Sequence, residues 1–411
     1  MFASIVERYP ALGFPLYRRY WFASLASVGA FQIVNLGQLW LVFELSGSAL
    51  DLGILGAAAS VPTILMTLIG GTIADRWDKR TLLLITSATT ATALFTLALL
   101  DALNVITVWH VWIIAAITAS ISGVDWPTRQ SFFPYLIERP AMLSAVALNS
   151  ILWQSTRMIV PALGGVLLAW SDTSVVFFLG AAGFLVMYAV ISGIDLKIDG
   201  SRELSPVAQM VEGFRFIAGN ELFRHLMLLS FATMFFASSY MQLMPAFADL
   251  LDAGETGYGM LLSATGVGSV IGTVVVGAAN PTRNYGMFML ACAGTSALGL
   301  YGFAFATLIP SYPLALLACA IAAAFVSVFL ILSTTAMQVE VPDALRGRVM
   351  GIHGITYSLM PLGGLVLGAA GDYVGVSAAV MISATVFLGI LMIITTASTR
   401  VRQLQSPQLN A

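Results

Sequence analysis

Long apolar stretches separated by short polar turns run through the whole chain of 411 residues. A bilayer-spanning α-helix needs about 20 mostly apolar residues, and twelve segments reach that length. They lie at 19–45, 51–74, 81–100, 107–127, 141–169, 174–195, 222–248, 257–279, 285–307, 312–339, 348–371 and 376–397. The segments are too long and alternate too little for β-barrel strands. The pattern therefore predicts an all-α membrane protein with twelve transmembrane helices.

Composition agrees with this prediction, because only 9% of the residues are charged and 59% are hydrophobic, whereas a soluble domain carries about 25% charged residues. A net charge of −2 gives no indication of a nucleic-acid partner. Cys292 and Cys319 lie in apolar runs, and we expect two buried thiols rather than a disulfide. The chain has no nucleotide-binding loop, catalytic set or Cys/His cluster, so we expect neither an enzyme nor a cofactor.

The basic residues indicate the orientation. If the N-terminus lies in the cytosol, all of the 18 Lys and Arg residues except Arg157 fall on the cytosolic side. The opposite turns carry acids such as Asp101 and Asp372 instead. Basic turns stay in the cytosol, so we predict a cell (inner) membrane protein with both termini cytosolic.

The chain reads as two repeated halves. The hydrophilic stretch 197–221 lies at its midpoint, and Ser205-Pro206 there begins a short amphipathic helix on the inner membrane face. Three matches in order relate the halves: Gly53–Gly71 with Gly259–Gly277, Gln130 and Pro134 with Gln338 and Pro342, and Pro161 with Pro361, each followed by a Gly pair. We predict six-helix halves at 1–196 and 222–397, a linker at 197–221 and a cytosolic tail at 398–411.

The most polar turn inside the first half, GGTIADRWDKR, spans Gly70–Arg80. Its two glycines allow close contact with a neighbouring helix. Asp75 is placed to accept hydrogen bonds from the N-terminus of another helix, whose dipole favours a carboxylate. The corresponding stretch of the second half, GAANPTRN at 277–284, contains no acid.

This architecture resembles the major facilitator superfamily. The loop motif of that superfamily matches Gly71, Asp75, Arg76, Asp78, Lys79 and Arg80. Three stretches, at 125–136, 245–272 and 341–351, are similar to the drug–proton antiporter-3 branch, which includes macrolide and enterobactin exporters. The resemblance implies a gate in which Asp75 contacts the start of helix 11, near Arg346–Met350. The alternative is a turn that only fixes topology.

Further charges lie at the inner ends of the helices. Asp125 and Arg129 lie at the turn between helices 4 and 5, and Arg346 precedes helix 11. Exposed pairs of this kind contribute about 0–1 kcal/mol, which suits contacts that break in every transport cycle. The alternative is that they are ordinary solvated turn charges.

The resemblance also places a binding cavity between the halves, lined by helices 1, 4, 7 and 10 with contributions from 5, 8 and 11. The matching residues are Asn35, Gln38, Trp153, Arg157, Tyr240, Gln242, Met244 and Tyr357. Met and aromatic side chains adapt to varied shapes, so bulky amphipathic cargo is expected; plain core packing is the alternative for each Met or aromatic residue. Arg157 lies inside a span, where a charge is costly, and it is either a functional charge or a structural residue bonded to carbonyls.

Coupling to protons is harder to place, because no Asp or Glu lies at the middle of a span. Asp125 is the first candidate carrier and His353 the second; helix capping and a buried histidine are the alternatives. VPALGG at 160–165 resembles the antiporter motif of helix 5 in this superfamily, which ends Gly-Pro-x-x-Gly-Gly. Val160 replaces the glycine before Pro161, and this departure weakens the inference of antiport.

We therefore predict a monomeric secondary transporter that exports hydrophobic or amphipathic small molecules by proton antiport with alternating access. An importer or facilitator of a small metabolite is the alternative, and a non-transporting membrane scaffold or sensor is a third.

Overall fold

The computed structural model describes residues 8–196, 206–279 and 284–405. These residues form helices and turns without β-strands, and twelve helices are long and apolar enough to cross a membrane. The predicted all-α fold and the count of twelve are confirmed. The spanning helices are α1 Pro15–Ser46, α2 Ala49–Arg76, α3 Lys79–Ala102, α4 Val108–Phe132, α5 Met142–Trp170, α6 Thr173–Ser192, α7 Glu221–Leu250, α8 Gly254–Ala279, α9 Tyr285–Leu308, α10 Tyr312–Glu340, α11 Asp343–Val374 and α12 Val376–Ala397.

Two of the spans contain irregular backbone that the sequence pattern did not predict. In α7, a π-helical segment Thr233–Ala237 and a 3-10 turn Ser239–Leu243 interrupt the α-helix. In α11, the interruption is a 3-10 turn at Ile355–Ser358. Irregular backbone at membrane depth is tolerated where protein or water covers it. Most of the α7 interruption is buried, so protein covers it there.

An amphipathic helix, Pro206–Gly219, precedes α7, and we call it the linker helix. Pro206 is its first residue, as the sequence predicts, because proline favours the first turn of a helix. Residues 197–205 of the predicted linker, with the capping Ser205, lie outside the described residues.

The chain divides into two compact units. The first consists of Met1–Leu45 and Ala58–Pro206, and the second of Ser46–Ala57 and Val207–Ala411. The helix α2 is therefore shared, since its start belongs to the second unit and its remainder to the first. The predicted half boundaries at 1–196 and 222–397, and the duplication itself, stay predictions.

In the first unit, hydrogen bonds join the start of α1 to the start of α5. Tyr17 Oη donates to the carbonyl of Ala145 at 3.1 Å, and Trp21 Nε1 donates to the carbonyl of Leu148 at 3.2 Å. A short 3-10 helix, Pro10–Gly13, packs beside them with its Ala11 fully buried. These contacts fix the start of α1 against the start of α5 in the first unit.

In the second unit, several helices approach at backbone contact. A Cβ atom at Gly268 of α8 would lie 2.0 Å from the carbonyl oxygen of Ala320 in α10. Small residues permit such packing between membrane helices. Cys292 and Cys319 are free, buried thiols in this unit, as predicted.

Candidate gating and coupling sites

The charged turn between α2 and α3 is fixed to its own unit. Asp78 caps α3, with its carboxylate accepting hydrogen bonds from Thr81 N at 2.8 Å and Thr81 Oγ1 at 2.7 Å. Arg80 Nη2 donates to the carbonyl of Ser192 at 2.8 Å, at the end of α6. Lys79 is buried, with Nζ 6.0 Å from the ring centre of Tyr135. These residues hold together the ends of α3 and α6 and the turn after α4.

The gating role predicted for this turn is not tested by these contacts. The surroundings of Gly71 and the side chain of Asp75 lie outside the described part of the structure, and Arg76 is exposed. The prediction of close helix contact is confirmed for Gly70, since a Cβ atom there would lie 2.4 Å from the carbonyl oxygen of Gly123 in α4.

Asp125 and Arg129 form a buried network rather than exposed turn charges. Arg129 Nε donates to Asp125, and the two side chains are only 10% and 15% exposed, Arg129 being the more buried. Thr86 Oγ1 of α3 donates to Asp125 Oδ1 at 2.7 Å, and Arg129 Nη1 donates to Ser27 Oγ of α1 at 2.9 Å. The network joins α1, α3 and α4.

The expectation of an exposed pair at these two residues is therefore wrong. The physical reason is that α4 continues as a helix to Phe132, through Pro127. Residues four apart lie on one face of a helix, and this face of α4 packs toward α1 and α3. Breaking a buried ion pair by removal of one partner costs about 3–5 kcal/mol, far more than breaking an exposed pair.

Arg346, by contrast, is a surface residue as predicted. It pairs with Asp343 at 2.6 Å, both side chains being at least half exposed, and its Nε donates to the carbonyl of Gln338 at the end of α10. Nearby, Arg348 pairs with Glu212 of the linker helix at 2.6 Å. A Cβ atom at Gly213 would lie 2.9 Å from Cδ1 of Ile352. The linker helix is thus docked on the first turns of α11.

At the other end of α11, Asp372 caps the start of α2. Its Oδ1 accepts a hydrogen bond from Ala49 N at 3.0 Å, and its Oδ2 accepts one from Ser48 Oγ at 2.9 Å. Ser48 Oγ in turn accepts a hydrogen bond from Asp51 N at 3.2 Å. From the sequence alone, Asp372 was recognisable only as a charge in a turn. All of these residues belong to the second unit.

Glycines bring α2 and α11 together beneath this cap. A Cβ atom at Gly368 would lie 2.2 Å from the carbonyl oxygen of Ala49, and one at Gly53 would lie 2.6 Å from the Cα atom of Leu365. One at Gly56 would lie 2.8 Å from the carbonyl oxygen of Pro361. The two helices therefore touch through their backbones over two turns of α2.

The predicted binding residues of the first unit have different surroundings. Asn35 is exposed, whereas Gln38 is 5% exposed and its Nε2 has no hydrogen-bond partner in the described structure. Trp153 packs edge-on against Trp126, with ring centres 5.2 Å apart. Arg157 is partly exposed. Their role in substrate binding stays a prediction.

In the second unit, Tyr240 and Gln242 belong to the buried 3-10 turn of α7, and the buried Met244 begins the α-helical segment after it. Tyr240 packs against Phe303 with ring centres 5.3 Å apart. Tyr357 is 57% exposed, although His353 one turn earlier is buried and its Nε2 has no hydrogen-bond partner among the described residues. The roles predicted for these residues also stay predictions.

Solved structures share this fold. The nucleoside transporter NupG superposes with a TM-score of 0.73 at 13% identity, covering 93% of this chain and 98% of NupG. A D-xylose–proton symporter superposes with a TM-score of 0.71 at 15% identity, covering 94% of this chain and 99% of the symporter. The twelve spans and this likeness define a multi-pass membrane protein with the major facilitator fold.

The sequence assigns the chain to one family among the proteins that share this fold. A family model described as transmembrane secretion effector, one of the major facilitator families, matches residues 8–411. The chain belongs to this family of major facilitator transporters, and the predicted resemblance to the exporter branch is confirmed.

Three relatives are similar in sequence. The staphyloferrin A transporter of Staphylococcus aureus is 25% identical over 252 residues, which are 59% of this chain and 62% of the relative. The multidrug efflux pump Tap of Mycolicibacterium fortuitum is 25% identical over 370 residues, which are 87% and 89% of the two chains. The enterobactin exporter EntS of Shigella boydii is 24% identical over 252 residues, which are 56% of this chain and 60% of the relative. The match spans less than two thirds of the staphyloferrin A and enterobactin relatives.

Proposed function

We propose that the protein exports amphipathic small molecules from the cytosol in exchange for protons, as a secondary transporter of a cell (inner) membrane with both termini in the cytosol. The observation that carries the coupling is the buried Asp125–Arg129 network. Charged groups inside a membrane span are costly and usually functional. Relatives named as exporters and as an efflux pump support the direction of transport.

In this proposal Asp125 is the proton carrier. Its carboxylate takes a proton and loses its charge, so the attraction to Arg129 weakens and Arg129 becomes a buried charge with a weaker partner. The hydrogen bonds from Thr86 and to Ser27 connect this change to α3 and α1. Protonation therefore alters the packing of three helices at once, which is what coupling requires. His353 is the second candidate for the proton site.

The test is transport in reconstituted vesicles with an imposed pH gradient. We expect the wild type to move an amphipathic dye against its gradient, and Asp125→Asn to lose gradient-driven movement. Asp249→Asn, at an exposed acid in the last turn of α7, is the matched control and should behave as the wild type. A pH-driven dye flux that persists in Asp125→Asn excludes Asp125 as the carrier.

Two groups of residues are proposed as gates. At the helix ends that carry the basic residues, the proposed gate consists of Gly71, Asp75, Arg76, Asp78, Lys79, Arg80 and Arg346. On the opposite side we add Asp372, which caps α2 by hydrogen bonds like those expected of Asp75. The Asp75→Asn variant is expected to insert into the membrane normally and to transport more slowly. Unchanged transport would mean that the turn only fixes the membrane topology.

For the substrate site, we propose Arg157 as the central charged contact, together with the predicted amide and aromatic residues. Thermal shift with a panel of macrolides, dyes and iron-chelating compounds, on wild type and Arg157→Ala, tests this assignment. A ligand whose stabilisation disappears in Arg157→Ala supports it, and equal shifts in both proteins contradict it.

An importer of a small metabolite is the second candidate, and the shared fold with a D-xylose–proton symporter favours it. Accumulation of a labelled compound by intact cells, above the level in cells without the protein, would distinguish import from export.

A further inference from the structure

A small cleft lies within the first unit, between the inner parts of α1, α4 and α5. Its walls include Tyr20 and Ser24 of α1, Trp126 and Arg129 of α4, and Asn149 of α5, and Gln130 also lines it. Its free space is about that of one water molecule. It is therefore too small for cargo but large enough for hydration.

The lining has the polarity that ordered water needs. A buried water molecule typically makes about three hydrogen bonds to polar groups. The hydroxyl of Ser24 is buried and makes no well-formed hydrogen bond in the described structure, although Tyr20 lies close to it. A buried hydroxyl without a protein partner is normally satisfied by water. Asn149 supplies an amide on the opposite wall.

The floor of the cleft belongs to the buried charge network. Arg129 lines the cleft and donates to both Asp125 and Ser27, and Ser27 Oγ donates to the carbonyl of Ser24 at 3.2 Å. Asp125 is not part of the cleft wall; its side chain is 15% exposed and is joined to the wall through its ion pair with Arg129. The charged or titratable groups facing Asp125 in the described residues are Arg129 on its own helix and Tyr20 on α1; α3 contributes the neutral Thr86.

The cleft lies near the basic end of the unit. Gln130 is exposed and occupies the last turn of α4, before the 3-10 turn Phe133–Leu136. With the proposed orientation, this end faces the cytosol. The cleft would thus connect the charge network to the cytosol inside one unit, and Trp153, one of the predicted substrate-binding residues, also lines it.

We propose that this cleft is the hydrated route by which Asp125 exchanges its proton with the cytosol. A hydronium ion in the cleft gives its proton, through one bridging water beside Arg129, to a carboxylate oxygen of Asp125 and is left as water; the reverse step releases the proton. Ser24 and Asn149 position the water that carries it. The inference rests on Asp125 being the proton carrier, and the experiment separates the two ideas.

The experiment uses the full chain in liposomes with a rapid pH jump applied to the cytosolic side. Tryptophan fluorescence is the signal, because Trp126 adjoins Asp125 in the chain and lies in the cleft wall. Two variants, Ser24→Leu and Asn149→Leu, fill the cleft from opposite walls. Thr92→Leu, at an exposed threonine of α3 bonded only to its own helix at Ala88, is the matched control.

We expect a fluorescence change in the wild type that Asp125→Asn abolishes. The two cleft variants should keep its final amplitude but slow it by at least about tenfold, because proton transfer requires a direct hydrogen bond or one bridging water. Thr92→Leu should match the wild type. If both cleft variants respond at the wild-type rate, the route is wrong while the carrier stands. If the signal is absent, or persists in Asp125→Asn, the carrier is wrong and the route falls with it.

A misfolded variant is recognised separately. Each protein is first required to elute as a single species, and each cleft variant is also required to keep the wild-type final amplitude at equilibrium. If Ser24→Leu fails this requirement, Asn149→Leu carries the test from the α5 side. If both leucine variants fail it, the milder Ser24→Val and Asn149→Val take their place. A fluorescence change at the wild-type rate in a folded variant that fills the cleft overturns the proposed route.

Discussion

The carboxylate of Asp372 accepts a hydrogen bond from the backbone nitrogen of Ala49 at 3.0 Å, across 323 positions of sequence. Ala49 is the first residue of α2, and Asp372 lies in the last turn of α11. The first backbone N–H groups of a helix lack partners within the helix, and the helix dipole favours a negative charge there. Asp372 supplies both the acceptor and the charge.

Removing this cap should loosen the start of α2. Loss of an N-terminal capping side chain costs about 1 kcal/mol, so Asp372→Ala should speed amide exchange in a peptide covering residues 48–57 by about fivefold. Hydrogen exchange with mass spectrometry measures it. Asp249→Ala, at another exposed acid, should leave this peptide unchanged. Equal protection in wild type and Asp372→Ala would mean that the cap does not hold α2.

The glycine contact beneath the cap can be tested by adding one methyl group. In Gly368→Ala the new Cβ atom would lie 2.2 Å from the carbonyl oxygen of Ala49, so the helices must separate, at a cost of about 1–3 kcal/mol. Gly389→Ala is the matched control, because nothing lies within 4 Å of a Cβ atom there.

We expect a lower melting temperature for Gly368→Ala. Gly389→Ala should melt at the wild-type temperature or above it, since Ala favours a helix interior by up to about 1 kcal/mol. Thermal unfolding in detergent compares the three proteins. A melting temperature for Gly368→Ala at or above that of Gly389→Ala contradicts the close contact.

The Asp125–Arg129 pair should show strong energetic coupling. Asp125→Asn leaves a buried guanidinium with a neutral partner, and Arg129→Gln leaves a buried carboxylate with a neutral partner. Each single change should destabilise the fold by about 3–5 kcal/mol. The double variant removes both charges and should recover part of this loss.

A double-mutant cycle of unfolding free energies measures the coupling, which should exceed about 1 kcal/mol. The surface pair Arg346–Asp343 provides the comparison cycle, and there the coupling should stay below about 1 kcal/mol because both side chains are well exposed. Additive effects at Asp125 and Arg129 would contradict the buried network.

Docking of the linker helix should depend more on shape than on charge. In Gly213→Leu the added side chain meets Ile352 and Arg348, so the helix should leave the surface of α11 and become at least several-fold more sensitive to limited proteolysis. Gly219→Leu, with nothing near its Cβ position, is the control. Glu212→Gln should change little, because its partly exposed pair with Arg348 contributes about 0–1 kcal/mol. Equal cleavage of Gly213→Leu and Gly219→Leu would argue against tight docking.

The features that follow from local pattern could be predicted from the sequence. Twelve spans are visible because a lipid-embedded helix needs a long apolar run, and the linker helix is visible from Pro206 and the apolar spacing after it. The close contact at Gly70 was also predictable, because only small residues let two helix backbones meet.

The features that depend on distant partners could not be predicted. The sequence TMFFASSYMQL, residues 233–243, is largely apolar and gives no sign of an interrupted helix. In the structure, a Cβ atom at Gly363 of α11 would lie 2.0 Å from the carbonyl oxygen of Phe235. Such close packing of α11 covers the irregular backbone. Asp372 was equally hidden, because nothing near it in sequence indicates the start of α2.

The buried Asp125–Arg129 pair had a signal that was misinterpreted. The spacing of four residues is that of a helical ion pair. The sequence prediction instead placed both residues in the turn between helices 4 and 5.

The shared helix α2 means that the second unit is not a continuous piece of chain. A gene cut within the linker would encode a C-terminal fragment without Ser46–Ala57, and the carboxylate of Asp372 in that fragment would have no Ala49 to cap. The two repeats that the sequence suggests are therefore not interchangeable modules. A functional split of this protein, or a chimera with a relative, has to keep the first turns of α2 and the last turns of α11 from the same parent.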